Sequence, residues 1–139
     1  MPIYRVRVPI TPLSINHIYG HRAIGRTVIK YMKKEGKTFK ELCLTCLHPK
    51  GSPPMDGSLF MHISLYFGDK RKHDVDNYSK PVLDAFNKVL YNDDGQINLL
   101  IIDKHYDKEF PRVEVIVGHM DEMYNLDALD IIRPRTDGE

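Results

Sequence analysis

Two acidic pairs carry the chemistry this chain could do. Asp74 and Asp76 stand one residue apart, and Asp93 and Asp94 are adjacent. A basic run, Lys70-Arg71-Lys72, precedes the first pair. Carboxylate oxygens are hard ligands of the kind a divalent cation takes, and neighbouring cations suit phosphate oxygens. Such parts make up a site for metal-assisted hydrolysis of a phosphodiester. Each pair also has an ordinary reading. Asp74 and Asp76 could cap the positive end of a following helix, or, in extended chain, point to one side and grip one cation. Asn92-Asp93-Asp94-Gly95 is common turn chemistry. An EF-hand is excluded, since its later ligand and glycine positions fall on Tyr78, Ser79 and Ala85.

Between the pairs, Val75, Tyr78, Val82, Ala85, Phe86 and Val89 recur at three- and four-residue intervals, the stripe of an amphipathic helix. Asp76, Lys80, Asp84 and Lys88 form a polar row; for Asp84 and Lys88 the expectation is a solvated face. Pro81 is tolerated in a first turn, which predicts a helix over 77–90 with Asp76 or Asn77 as N-cap and Lys80 in its first turn. A helix starting only at Pro81 would leave Asp76 and Lys80 free of a shared face.

The remaining elements must bring these groups together. Residues 3–9 alternate as a half-buried strand, 59–67 (LFMHISLYF) read as a buried strand, and 97–106 and 112–117 as two more. The short link 107–111 predicts an antiparallel hairpin of the last two. Residues 10–27 read as a long polar loop carrying Asn16, His17, Tyr19, His21, Arg22 and Arg26, which suits a phosphate-facing surface or a plain connection. Residues 28–47 read as a helix with a lysine-rich flank, weakened at Gly36. The fold class is therefore α+β: one domain with a small mixed sheet of about four strands and two main helices. In it the first acidic pair follows one strand and Asp94 precedes the next, so all three acids are expected at one sheet end. A zinc site at Cys43 and Cys46 would need two more ligands, and His48, His62 and His73 have no spacing that supplies them, so both read as buried free thiols; His62 reads as a satisfied sheet histidine.

The chain has 139 residues with a formal net charge of +1, enough for one real core. The average conceals an asymmetry: residues 1–50 hold ten Lys/Arg against two acids, and residues 51–139 hold ten against seventeen. A locally basic region attracts phosphates whatever the total. No apolar run is long enough for a membrane span and no signal peptide is evident, so a soluble cytoplasmic protein is expected.

The run Arg71-Lys72-His73-Asp74-Val75-Asp76-Asn77, followed by Lys80, Asp84-Ala85 and Asp93-Asp94, resembles the RusA family of Holliday-junction resolvases. Pro9, Pro12, Asn16, Tyr19 and Gly25-Arg26-Thr27 are similar to that family's looser N-terminal elements, so the resemblance runs from residue 3 to about residue 117. It implies a RusA-like nuclease domain over 1–118 with an acidic tail over 119–139. The implied activity is a homodimeric, Mg²⁺-dependent endodeoxyribonuclease, with Mn²⁺ as a stand-in, that resolves four-way DNA junctions. Matched residue by residue, Asp74, Asp76 and Asp94 would be the catalytic, metal-holding carboxylates and Lys80 a catalytic cation. The gap before the second acidic pair is one residue shorter than in the family, which keeps Asp93 beside Asp94 as a candidate. Arg71, Lys72, Asn16, Tyr19, Arg22 and Arg26 would hold DNA. A junction's two-fold symmetry agrees with a dimer. The rival readings are a metal nuclease preferring other branches, such as flaps, and a DNA-binding module without cleavage.

Overall fold

The computed structural model describes residues 3–48 and 50–125. Its centre is β4 (Leu59–Phe67), in which every residue is buried. A continuous apolar run is what a strand covered on both faces requires, and β4 has neighbours on both edges as well. It pairs in parallel with β5 (Ile97–Tyr106) and antiparallel with β6 (Arg112–His119). β1 (Tyr4–Val8) closes the far side against β6, giving the order β1-β6-β4-β5. In β1 the buried Tyr4, Val6 and Val8 alternate with exposed Arg5 and Arg7, as a strand with one wet face must. Two helices, α2 (Lys34–Cys46) and α3 (Ser79–Phe86), pack on each other and on the sheet, where Phe39, Cys43, Val82, Ala85 and Phe86 join the strands' core.

Four features depart from the expectations above. The last two strands do not form a hairpin, because β4 lies between them. The backbone of β4 is paired along both edges, and the 107–111 link crosses the end of β4, where the Asp107 N–H donates to the Phe67 carbonyl at 2.8 Å. Residues 10–27 are not one loop. They hold a single helical turn, α1 (Ile15–Ile18), and then β2 (Tyr19–Ile24), which pairs antiparallel with β3 (Thr27–Met32). The turn is Gly25-Arg26, and Gly25 takes φ +60°, a conformation two-residue hairpin turns favour glycine for. Helix α2 accordingly starts at Lys34, not at residue 28. Finally, the 77–90 helix is replaced by a 3₁₀ turn (Val75–Tyr78) running into α3, which ends at Phe86. Asn87 is extended and Lys88 takes φ +64°, so Lys88 leaves the polar row.

The parallel pairing of β4 and β5 decides where the acids go. A chain leaving the C-terminal end of β4 must travel back to enter the N-terminal end of β5. Asp74 stands on that return and Asp94 at its finish, with the 3₁₀ turn and α3 between them.

Cys43 and Cys46 are free thiols, Cys43 buried and Cys46 only partly so, and burial, then the neighbouring Cys46, pushes the Cys43 thiol up to about 12. His62 is a satisfied sheet histidine, its Nε2 at 2.7 Å from Asp103 Oδ2. A 3₁₀ turn, Met120–Asn125, follows β6. The acidic tail expected over 119–139 lies, beyond Asn125, outside the described residues. Among the described residues no helix is long and apolar enough to cross a membrane.

Candidate active site

The loop that presents the first acidic pair is fixed through His73. Its ring stacks on Phe67, centroids 3.8 Å apart and planes within 5°. Its Nε2 lies 2.9 Å from Asp69 Oδ1 and its Nδ1 lies 3.1 Å from the Tyr78 hydroxyl. Lys104 Nζ donates to the His73 carbonyl at 2.8 Å. The bond from His73, then that from the Arg71 backbone N–H, holds the Asp69 carboxyl down at about 2. With His73 held, Asp74 takes extended backbone and its carbonyl accepts from the Asn77 N–H at 3.1 Å, which starts the 3₁₀ turn. Asp74 occupies the N-cap position without a side-chain capping bond. Asp76 lies inside the turn, so the two are not an extended pair, and both are exposed.

Lys80, in the first turn of α3, connects to the second pair. Its Nζ is 2.9 Å from Asp84 Oδ1 and 3.6 Å from Asp94 Oδ2. The other oxygen of Asp84 accepts the Tyr19 hydroxyl, and Lys30 Nζ sits 4.1 Å from the centroid of the Tyr19 ring. The bond to Asp84 raises the Lys80 ammonium above its ordinary value, with the charges of Asp84 and Asp94 adding to it. Tyr91, whose hydroxyl donates to the Leu83 carbonyl at 2.6 Å, is raised by burial and then by the charges of Asp94 and Asp84.

The two acids of the second pair divide their work. Asp93 caps the 3₁₀ turn Asp94–Gln96 in a capping box with Gln96. Gln96 Oε1 accepts from the Asn92 and Asp93 N–H groups at 2.8 and 3.0 Å. Its Nε2 donates to the carbonyls of Met55 and Gly57 at 2.9 and 3.0 Å, so the turn is tied to the 55–58 link. Asp93 is thereby used in holding the turn, and Asp94 is the acid that turns to Lys80.

Lys80, Asp94 and Asp84 thus form one charged group, and Asp74 and Asp76 stand before it. Asp76 and Lys80 are four positions apart along the 3₁₀ turn and α3, a rise of about 6–8 Å. Among the described residues no group of three or more His, Cys, Asp or Glu side chains is set to hold a metal ion. The carboxylate donors are of the chemical type a hard divalent cation takes, while the cation that Asp84 and Asp94 share here is the Lys80 ammonium.

The residues singled out for DNA lie in the loop after β4, in α1 and on the β2–β3 hairpin. Arg71 donates to Asp69 from its backbone N–H at 2.9 Å and from its guanidinium at 3.4 Å. Lys72 is exposed. The Asn16 carbonyl accepts from Lys33 Nζ at 3.1 Å. Tyr19 is turned inward to Asp84, and Arg22 and Arg26 are exposed on the β2–β3 hairpin. Sequence reasoning missed Asp84, treated as a solvated helix face. The i, i+4 spacing to Lys80 was the signal available; its bond to Tyr19 is long-range and had none. Tyr91 was missed as well.

A family model described as "Endodeoxyribonuclease RusA" matches residues 9–118. The chain is also similar to the "Uncharacterized protein YqaN" of Bacillus subtilis (strain 168), 52% identical over 46 residues, 33% of this chain and 32% of that protein. The match spans about a third of that relative's length.

Proposed function

This chain belongs to the RusA family of endodeoxyribonucleases, and from that premise we propose that it is a Mg²⁺-dependent endonuclease that resolves four-way DNA junctions. The observation that carries the reading is Lys80 held against Asp94, with Asp76 about one helical turn ahead of it in sequence. Asp74, Asp76 and Asp94 would hold the cation. When bound, Mg²⁺, or Mn²⁺ in its stead, supplies Lewis acidity at the phosphate and lowers the pKa of water.

The chain's own groups do the rest. Asp94 offers an oxygen acceptor on a turn that Asp93 and Gln96 keep rigid. Lys80 supplies a fixed ammonium where charge builds on the phosphate oxygens, a role worth most when the donor is already in place. Asp84 holds that ammonium from the other side. Lys72, Arg22 and Arg26 face solvent and would contact the DNA backbone, with Arg71 and Asn16 at its border. Two copies related by a dyad would match the symmetry of a four-way junction and allow paired cuts.

The experiment is incubation of the purified chain with a labelled four-way junction, a flap and a linear duplex, with and without Mg²⁺. Cuts confined to the junction support the reading; cuts in the flap alone move it to another branched substrate. That Asp84 and Asp94 already share the Lys80 ammonium favours a second reading, a DNA-binding module without cleavage. Retained binding with intact substrate in both Mg²⁺ and Mn²⁺ would select it.

A further inference from the structure

We propose that the outer face of the β2–β3 hairpin is a binding site for an unstacked nucleobase and its adjoining phosphate, contributed by the branch point of the DNA. The proposal rests on the reading of this chain as a branched-DNA protein and adds a contact that the acidic site does not supply.

Register sets the site. Gly20 pairs with Tyr31 and Arg22 with Ile29, so Tyr31, Arg22 and Ile29 rise from one face of the ribbon. The opposite face carries Tyr19, His21 and Lys30, with Tyr19 bonded to Asp84 and Lys30 over its ring. One face therefore anchors the ribbon to α3 beside Lys80, and the other faces out.

On the outward face the Tyr31 ring lies directly against Gly20. A Cβ at Gly20 would come 2.6 Å from both Cζ and Oη of Tyr31, so only glycine lets the ring lie there. The ring is still 47% exposed, which leaves its other side open. Tyr31, Ile29 and Arg22 line a concavity of about 380 Å³. An aromatic platform, an aliphatic wall and a guanidinium are the parts that stack a base and meet its phosphate.

The surroundings favour an anion over a second copy of this chain. The ribbon, residues 19–32, contains Arg22, Arg26 and Lys30 and no acid. Two such ribbons meeting face to face would set like charges together, whereas a nucleotide brings the complementary charge. Apolar exposure adds to it: Ile24, Ile29 and Tyr31, which share this face by register, are three of the six large hydrophobic residues most open to solvent among the described residues. Clustering of that kind marks a contact surface.

The test is binding in EDTA, where cleavage plays no part, to a four-way junction and to a duplex of the same length. Tyr31→Ala is expected to weaken junction binding about ten-fold, the loss of one stacked base, and to leave duplex binding within about two-fold. Gly20→Ala, which shifts the ring without altering its chemistry, is expected to do the same, and Tyr31→Phe to bind as wild type does. A junction with abasic nucleotides at the branch should bind wild type about ten-fold more weakly and Tyr31→Ala no more weakly than the intact junction. Equal junction affinity of wild type and Tyr31→Ala would overturn the site, as would an equal loss on junction and duplex. A dimer that dissociates on Tyr31→Ala, with DNA affinity per protomer unchanged, would overturn it in favour of a contact between copies. Wild-type protein that binds neither DNA would overturn the branched-DNA reading itself.

Discussion

Tyr19→Phe removes one hydroxyl and leaves the ring beneath Lys30. What it deletes is the tie between the β2–β3 ribbon and Asp84. A hydrogen bond to a charged acceptor contributes about 1.5–3 kcal/mol when well buried. Both partners here are only partly buried, which reduces the expected loss to about 1–1.5 kcal/mol. For a chain of this size that is a fall in Tm of about 3–7 °C. The pH dependence adds a second signature. Burial, then the bond to Asp84 and its charge, pushes the Tyr19 phenol from 10 up to about 12. A folded-state value above the unfolded one means that the contribution is complete below pH 10 and is lost as pH rises through 12. The gap in stability between wild type and Tyr19→Phe should therefore narrow over that interval, while titrations common to both proteins cancel. Urea unfolding followed by circular dichroism, at pH 8 and at steps from 10 to 11.5, measures the gap; a double-mutant cycle with Asp84→Asn measures the coupling. A gap that stays constant to pH 11.5, or losses that simply add in the double mutant, would refute the link between ribbon and site.

Three further outcomes follow from the packing and the charges. Arg112 is fully buried, 2.7 Å from Asp107 and with its guanidinium carbon 3.7 Å from the Tyr66 ring centroid; Arg112→Leu strands these partners and should cost about 3–5 kcal/mol in urea unfolding. Gly36→Ala puts a methyl 2.8 Å from the Ile18 carbonyl oxygen and should cost about 1–3 kcal/mol by forcing α1 and α2 apart, read as a lower Tm. If Asp74, Asp76 and Asp94 take up Mg²⁺, the ion at about a hundred times its Kd should stabilise the fold by about 2.7 kcal/mol, and Asp74→Asn should diminish that rise in thermal scans.

The strands were legible where burial imposes a pattern. β4 announced itself through nine consecutive buried positions and β1 through alternation. Pairing was not legible, because the run of β4 fits a parallel or an antiparallel neighbour equally well. The sequence reading therefore joined the last two strands in a hairpin, and β4 lies between them instead. The β2–β3 ribbon was missed for the opposite reason. From His21 to Tyr31 every residue is exposed, so no hydrophobic period marks the strands, and only Gly25 hinted at a turn. Gly36 looked like a weakness in a helix and proves to be the point where α1 approaches α2. In the candidate site, the motif identified Lys80 and Asp94, which do meet. Asp84 was lost because a Lys–Asp pair at i, i+4 looks the same on an idle surface, and what distinguishes it here is Tyr19, 65 positions away.

The central claim is tested most directly by a four-way junction labelled on each strand in turn, incubated with the wild-type chain, Asp74→Asn and Asp94→Asn in Mg²⁺ or EDTA, with binding measured alongside. The account predicts paired, symmetric cuts by wild type in Mg²⁺ and none in EDTA. It predicts none by either variant, although both still bind the junction. Uncut junction in Mg²⁺ and Mn²⁺ despite tight wild-type binding, or cutting by Asp74→Asn at the wild-type rate, would contradict it.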